Sequence, residues 1–126
     1  MSAEEKILNS ARRVFLLYGF QATTIKRIAT DAKVSKTAIH YYYRSKEKLY
    51  DNVVREIGRE ILDYRNDTDG NLSVGLFVLN EFKSNRVLFV KALNNYNKLK
   101  WDDILQHYIK YAIPESISNE TLDKMF

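Results

Sequence analysis

Two short amphipathic segments lie close together between Thr23 and Leu49, and they constrain the fold of this chain more than any other feature. The first segment has apolar residues at i, i+3, i+4 and i+7, which is the spacing of one face of a helix. These residues are Ile25, Ile28, Ala29 and Ala32. Thr24 stands just before them, where its hydroxyl can accept from an unpaired backbone N–H and cap the helix. A short amphipathic helix is therefore predicted here.

The second segment covers residues 36–43 and follows Ser35, another natural N-cap. Its inward-facing residues are predicted to be Ala38, Ile39 and either Tyr42 or Tyr43. The break over residues 33–35 is too short for anything but a tight bend. Two helices joined by such a turn, with Lys, Thr, His and Tyr exposed on the second, are typical of the helix-turn-helix of DNA-binding proteins.

The charge of the chain is unevenly distributed. Residues 1–50 contain ten Lys and Arg against four Asp and Glu, a net charge of +6, whereas residues 51–126 contain ten against twelve, a net charge of −2. Basic residues concentrated around a helix-turn-helix favour binding to a polyanion. A solvated basic face is the alternative interpretation of the charge taken alone.

Helices are also predicted on both sides of this motif. The first covers residues 3–18, with Ser2 as a possible N-cap and Gly19 as the C-terminal stop. Its apolar stripe is Ile7, Ala11, Val14, Phe15 and Tyr18. A long fourth helix is predicted from Lys46 to about Arg65, capped by Ser45, with a stripe at i+4 steps. This stripe is Leu49, Val53, Ile57, Ile61 and Tyr64.

The second half of the chain is also predicted to be helical. Six turn-forming residues, Asn66–Asn71, form the strongest break. The apolar run Leu72–Phe82 fits a buried strand or a buried helix, and helix is preferred because no hairpin partner follows. Further helices are predicted from Asn85 to about Leu99, and over residues 103–112 with Asp102 as the N-cap. Pro114 should end the latter, and Ser118 or Asn119 is a candidate start of another.

The predicted fold class is all-α, with two domains. Residues 1–48 form a three-helix helix-turn-helix domain, and the fourth helix, about 46–65, is a rigid connector. Residues 49–126 form a helical effector or dimerisation domain, which is expected to be incomplete.

Composition argues against several other classes of protein. The chain has no cysteine, so disulfides and thiolate metal sites are excluded. It lacks a run of about 18 apolar residues able to span a membrane, so a cytoplasmic protein is expected. Its two histidines, His40 and His107, have no partner at metal-binding spacing, and its four glycines form no phosphate loop. No enzyme activity, metal or cofactor is predicted.

Residues 7 to 50 resemble the DNA-binding domain of the TetR family of bacterial transcriptional regulators. The resemblance begins with Ile7, Ala11, Phe15 and Gly19-Phe20, and continues through Thr23-Thr24 and Ile28-Ala29. It ends with Val34-Ser35, Lys36, Ser45-Lys46-Glu47 and Leu49.

The resemblance implies a homodimer in which each subunit places its third helix in a major groove of a palindromic double-stranded operator. Carried over by position, the implied DNA contacts are Thr24, Lys26, Lys36, Thr37, His40, Tyr41 and Lys46. Thr24 can hold a phosphate at a helix N-terminus. Lys36 and Thr37 lie in the first turn of the recognition helix, where base edges are usually contacted. Lys46 and Tyr41 should contact the DNA backbone.

The chain departs from the family pattern at three positions and in its length. The family usually has Gly at Lys33, where a lysine must adopt positive φ at some cost or shift the turn. The family commonly has Tyr at the position of His40. The histidine could still contact a phosphate, and would do so more strongly when its ring is protonated. The family often has a small residue at Thr37. Residues 51–126 are too few for a full ligand-and-dimer domain, so an incomplete chain is favoured over a reduced relative that dimerises otherwise.

Aromatic residues are frequent in the second half of the chain. They are Phe77, Phe82, Phe89, Tyr96, Trp101, Tyr108 and Tyr111. Core packing is the simpler interpretation. The resemblance suggests an apolar pocket for a small apolar or aromatic effector, and its candidate contacts are Phe77, Phe89, Tyr96, Trp101 and Tyr108.

The predicted function is therefore a DNA-binding transcriptional regulator, a ligand-responsive repressor. The alternative is a helical interaction protein whose basic end binds an acidic partner or surface.

Overall fold

The computed structural model describes residues 1–63 and 72–114. Within these ranges the chain forms seven α-helices and no strand, which confirms the all-α class. The helices are α1 Ala3–Ala22, α2 Ile25–Ala32, α3 Lys36–Tyr43, α4 Lys46–Asp63, α5 Leu72–Ser84, α6 Arg86–Tyr96 and α7 Trp101–Ala112.

The predicted caps of the first four helices are confirmed. Each cap hydroxyl accepts from the backbone N–H three residues later, at 3.1 to 3.2 Å. The four cap residues are Ser2, Thr24, Ser35 and Ser45. Such bonds satisfy N–H groups that have no partner inside the helix.

Gly19 interrupts α1 rather than ending it. Its φ of 76° and ψ of 174° lie outside the helical region, and the helical assignment resumes up to Ala22. The apolar stripe of α1 is buried from Ile7 to Phe15, but Tyr18, which the sequence placed in this stripe, is 46% exposed. Because Tyr18 precedes the kink and lies beneath the guanidinium of Arg27, 4.2 Å from the ring centroid, it packs at the surface.

The fourth helix begins at Lys46 as predicted and is described as far as Asp63, so its 18 residues span about 27 Å. Its stripe residues Leu49, Val53, Ile57 and Ile61 are all buried. Arg12 of α1 binds α4 from the outside, with Nη1 3.2 Å from Glu56 and Nη2 2.8 Å from Glu60. These contacts join the first helix to the connector.

The second half contains two boundary corrections. Leu72–Phe82 is helical as predicted, but α6 ends at Tyr96 rather than near Leu99. The last described helix begins at Trp101, so Asp102 lies in its first turn and is not its N-cap. The reason is the indole of Trp101, which is 1% exposed and donates from Nε1 to the Asn97 carbonyl at 2.7 Å.

The buried side chains form one hydrophobic core to which all seven described helices contribute. The predicted boundary between residues 48 and 49 therefore does not separate two cores. Tyr64, the break at Asn66–Asn71 and the candidate helix start at Ser118 or Asn119 lie outside the described residues. None of the described helices is long and apolar enough to cross a membrane.

Candidate nucleic-acid interface

The third helix has one buried face and one exposed face. Ile39 and Tyr43 are buried, and the Tyr43 hydroxyl donates to the carbonyl of Glu4 at 3.1 Å. This answers the open choice between Tyr42 and Tyr43, because Tyr42 is 40% exposed. The opposite face exposes the four predicted contacts on this helix, which are Lys36, Thr37, His40 and Tyr41. Their side chains are free to meet a large ligand.

The turn between α2 and α3 is a Schellman motif with a lysine in the left-handed position. Lys33 has φ 59° and ψ 45°, its N–H donates to Thr30 O at 3.3 Å, and the N–H of Val34 donates to Ala29 O at 3.0 Å. Of the two expectations for a non-glycine residue here, positive φ is observed. The tight turn is therefore kept in spite of the cost of a side chain in this conformation.

The C-terminal end of α3 is strained at Arg44, which has φ 72° and ψ −43°. The N–H of Ser45 donates across it to Tyr43 O at 2.8 Å, which makes Arg44 the centre of a classic γ-turn. Such turns are rare for residues with a side chain and cost energy. The turn redirects the chain from α3 into α4 within two residues.

His40 stabilises this turn from the preceding helix. Its Nδ1 lies 3.1 Å from the carbonyl oxygen of Arg44. A carbonyl can only accept, so Nδ1 carries the hydrogen and Nε2 of the neutral ring has a lone pair. A phosphate also only accepts. Nε2 can therefore bind one only when the ring is protonated.

Thr24 and Lys26 lie at the exposed start of α2. The Thr24 oxygen accepts from the N–H of Arg27 at 3.1 Å, and its own O–H remains available as a donor. Lys26 lies in the first turn. Both residues are placed beside the positive end of the helix dipole, which favours an anion.

The side chain of Lys46 forms hydrogen bonds within the protein that could not be predicted from its position in the sequence. Its Nζ donates to the carbonyls of Phe20 at 2.8 Å and Thr23 at 3.0 Å, and lies 4.0 Å from the centroid of the Phe20 ring. These bonds satisfy carbonyls at the end of α1 and attach that end to the start of α4. Two of the three ammonium hydrogens are used in these bonds, which leaves one for a further acceptor.

A buried carboxylate that sequence reasoning missed lies behind Lys46. Glu81 of α5 is 1% exposed, and its Oε1 accepts from the Tyr50 hydroxyl at 2.7 Å and the Phe20 N–H at 3.2 Å. Burial raises the pKa of Glu81 above its ordinary value, and the two hydrogen bonds offset this only in part. The signal was present in the sequence, because Glu81 is the only charged residue in the run Leu72–Phe82.

Glu81 also perturbs its hydrogen-bond donor. Burial first, and then the Glu81 charge, raise the pKa of the Tyr50 hydroxyl above its ordinary value. The carboxylate thus joins three helices, since Phe20 belongs to α1, Tyr50 to α4 and Glu81 to α5. The first and fourth helices are connected to the second half of the chain at this point.

The aromatic residues proposed as effector contacts pack mainly in the core. Phe77 and Phe89 meet edge to face at 5.9 Å, and both are buried. Trp101 and Tyr108 are buried as well, and Tyr96 is half-buried. A cavity of about 660 Å³ lies between α1 and α5, and of these five residues it is lined by Phe77 alone. The simpler interpretation, core packing, accounts for the other four.

The described residues hold no group of three or more His, Asp and Glu side chains arranged to bind a metal ion. His107 is exposed and packs against the ring of Tyr111 at 4.7 Å.

Comparison with known proteins identifies the N-terminal helices. Residues 7–53 match the family model of bacterial regulatory proteins of the tetR family. The HTH-type transcriptional regulator RutR of Escherichia coli (strain K12) is 47% identical over 58 residues, which are 45% of this chain and 27% of RutR. The chain therefore matches about a quarter of the length of that relative.

Two further similarities extend over most of the chain. The uncharacterized HTH-type transcriptional regulator YhgD of Bacillus subtilis (strain 168) is 25% identical over 94% of this chain and 72% of its own length. The crystal structure of a HlyIIR mutant protein superposes with a TM-score of 0.56 at 23% identity, over 86% of this chain and 72% of that one. The latter supports the fold alone. Residues 7–53 thus resemble the N-terminal domain of bacterial regulatory proteins of the tetR family, and the similarity over the rest of the chain is one of helical fold.

Proposed function

We propose that this chain is a DNA-binding transcriptional regulator that inserts α3 into the major groove. The observation that carries the proposal is the exposed face of α3, which begins with a lysine and a threonine directly after a tight turn. A recognition helix meets base edges with its N-terminal residues, and this turn sets its angle. The names of the two relatives, both HTH-type transcriptional regulators, agree with this function.

Within this proposal the predicted contacts divide into two classes. Lys36 and Thr37 read base edges, because they lie in the first turn of α3. The remaining contacts bind phosphates and set the register of the protein on the duplex. These are Thr24, Lys26, His40, Tyr41 and Lys46.

We also propose that the chain acts as a ligand-responsive repressor in the cytoplasm and binds a palindromic operator as a homodimer. In this proposal residues 1–48 read the DNA, and residues 49–126 belong to the part that dimerises and binds the effector. Occupying an operator is sufficient to exclude other proteins from that DNA. The contact of α5 with α1 and α4 through Glu81 supplies a route by which the second half can affect the first.

The test is a selection of bound fragments from a random duplex DNA pool at roughly physiological salt, followed by sequencing. Enrichment of a palindrome supports specific reading by a dimer, and enrichment of a single half-site supports reading by one subunit. Binding that lacks enrichment and survives only at low salt would refute sequence-specific reading. It would favour the alternative, a helical protein whose basic end binds acidic surfaces.

A matched pair of variants tests the role of α3. Lys36→Ala should change which sequences are enriched, since a lost base contact typically costs about 1–3 kcal/mol at one position. Lys91→Ala is the control, because Lys91 is an exposed lysine on α6, away from this face. Equal weakening on all sequences by Lys36→Ala would contradict base reading by Lys36.

A further inference from the structure

The turn between α5 and α6, residues 83–86, belongs to a stretch of the chain whose charges are all positive. Residues 82–101 contain five Lys and Arg and no Asp or Glu, whereas the rest of residues 51–126 contains five against twelve. Lys83, near the end of α5, and Arg86, at the start of α6, are both exposed. The second half of the chain therefore has a basic surface of its own, although its net charge is −2.

This α5–α6 turn lies at the same end of the molecule as the predicted DNA contact Lys46. Asn85, which precedes α6, has its Nδ2 3.4 Å from the Tyr50 hydroxyl, and Tyr50 lies about 6 Å along α4 from Lys46. Glu81, near the end of α5, accepts from the N–H of Phe20, whose carbonyl accepts from Lys46. The end of α1, the start of α4, the end of α5 and the start of α6 therefore meet at one edge of the protein.

The sixth helix runs beside α4 and away from this edge. Its start adjoins Tyr50, whereas a Cβ placed on Gly58, two turns farther along α4, would lie 3.0 Å from Leu93. A position along α6 is therefore also a distance from the edge. Arg86 lies at the near end, and Lys91 lies about 7.5 Å farther along the helix.

The side chain of Arg86 is held in place by Phe82. Its Nε donates to the Phe82 carbonyl at 3.0 Å, and its Cζ lies 3.9 Å from the centroid of the Phe82 ring. The ion pairs among the described residues do not include Arg86, so the donors on both of its Nη atoms are available. A planar guanidinium suits a phosphate, which it can bind through two parallel hydrogen bonds. An arginine that is already fixed loses less freedom on binding than a mobile one.

We propose that the α5–α6 turn is a second DNA contact, in which Arg86, with Lys83 beside it, binds a backbone phosphate near the start of α4. The inference rests on the proposed function and adds to it a phosphate contact outside the helix-turn-helix. DNA is favoured over an acidic protein as the partner because the turn adjoins the predicted DNA contact Lys46. A phosphate contact carries no sequence information, so this one strengthens binding to every duplex.

The test is the salt dependence of affinity for a labelled duplex, measured by fluorescence anisotropy between about 50 and about 200 mM salt. Each phosphate contact contributes about 0.9 to the slope of log affinity against log salt concentration. Arg86→Gln should therefore lower the slope by about one unit and weaken selected and random duplexes alike. Arg86→Lys keeps the charge and should retain most of the slope. Lys91→Gln is the matched control and should leave the slope unchanged, because Lys91 is exposed on the same helix but farther from the edge.

Two results would overturn the contact alone. The first is an equal slope for Arg86→Gln and the wild type, with the fold of the variant verified by circular dichroism, which would leave an acidic protein as the better partner for the turn. The second is an equal loss of slope in Arg86→Gln and Lys91→Gln, because the effect would then come from net charge and not from position. A wild-type chain that binds no duplex even at about 50 mM salt would instead refute the proposed function, and this contact with it.

Discussion

Replacing Glu81 by glutamine and by alanine separates the charge of this residue from its hydrogen bonds. Glutamine keeps an oxygen that can accept from the Tyr50 hydroxyl and the Phe20 N–H, whereas alanine leaves the buried Tyr50 hydroxyl and the half-buried Phe20 N–H without this acceptor. An unsatisfied buried donor costs about 1–3 kcal/mol. Glu81→Ala should therefore lower the free energy of unfolding by about 2–5 kcal/mol, and Glu81→Gln should change it far less.

The two variants should also differ from the wild type in their pH dependence. Because the folded pKa of Glu81 is raised above its ordinary value of 4.5, the unfolded state releases this proton first as pH rises. The contribution of Glu81 to stability is therefore fully present below pH 4.5 and is lost as pH rises from there through the folded pKa. Glu81→Gln does not titrate, so its stability relative to wild type should increase with pH, by at most about 1.4 kcal/mol per pH unit.

The assay is urea denaturation followed by circular dichroism at several pH values between about 4 and 8, with all three proteins. Asn80→Ala is a useful comparison, because it removes only the long contact to Oε2. If Glu81→Gln instead loses stability relative to the wild type as pH rises, the negative charge of Glu81 stabilises the fold rather than costing free energy. The attraction of Lys46 for Glu81 would then outweigh burial, and our reasoning would be refuted.

Two further predictions concern the helix-turn-helix and the start of α4. Lys33→Gly should stabilise the fold by about 1 kcal/mol, because glycine adopts the observed φ of 59° without strain. An unchanged melting temperature would contradict the idea that Lys33 is strained. Lys46→Ala should lower the unfolding free energy by about 1–3 kcal/mol, since two backbone carbonyls lose their donor. It should also make DNA binding less dependent on salt, by about one unit in the slope of log affinity against log salt concentration. Unchanged melting would refute the first effect, and an unchanged slope the second.

The helices and their starts were predictable from the sequence where the determining interactions are local. A cap joins residues three apart, so Thr24 and Ser35 could be identified from the chain alone. The prediction that Asp102 caps α7 was wrong, because tertiary packing rather than a local hydrogen bond decided where this helix begins. The burial of Trp101 moved the start of α7 towards the N-terminus.

In the candidate site, too, the features set by local sequence could be predicted and those set by tertiary contacts could not. Periodicity placed Lys36 and Thr37 on the exposed side of α3, because a helix that buries Ile39 must turn those residues outward. Whether they bind DNA stays a prediction. Periodicity could not show that Lys46 is bound to two carbonyls of the first helix, since those partners are 26 and 23 residues away.

The sequence by itself determined the helical class, the tight turn and the polar face of α3, since each depends on residues within a few positions of one another. Only the tertiary structure decided that Glu81 lies beneath Phe20 and Tyr50, and that α1 and α5 leave a cavity beside them. These features join residues 31 to 61 positions apart, and their energies come from burial and from hydrogen bonds that exist only after the helices pack.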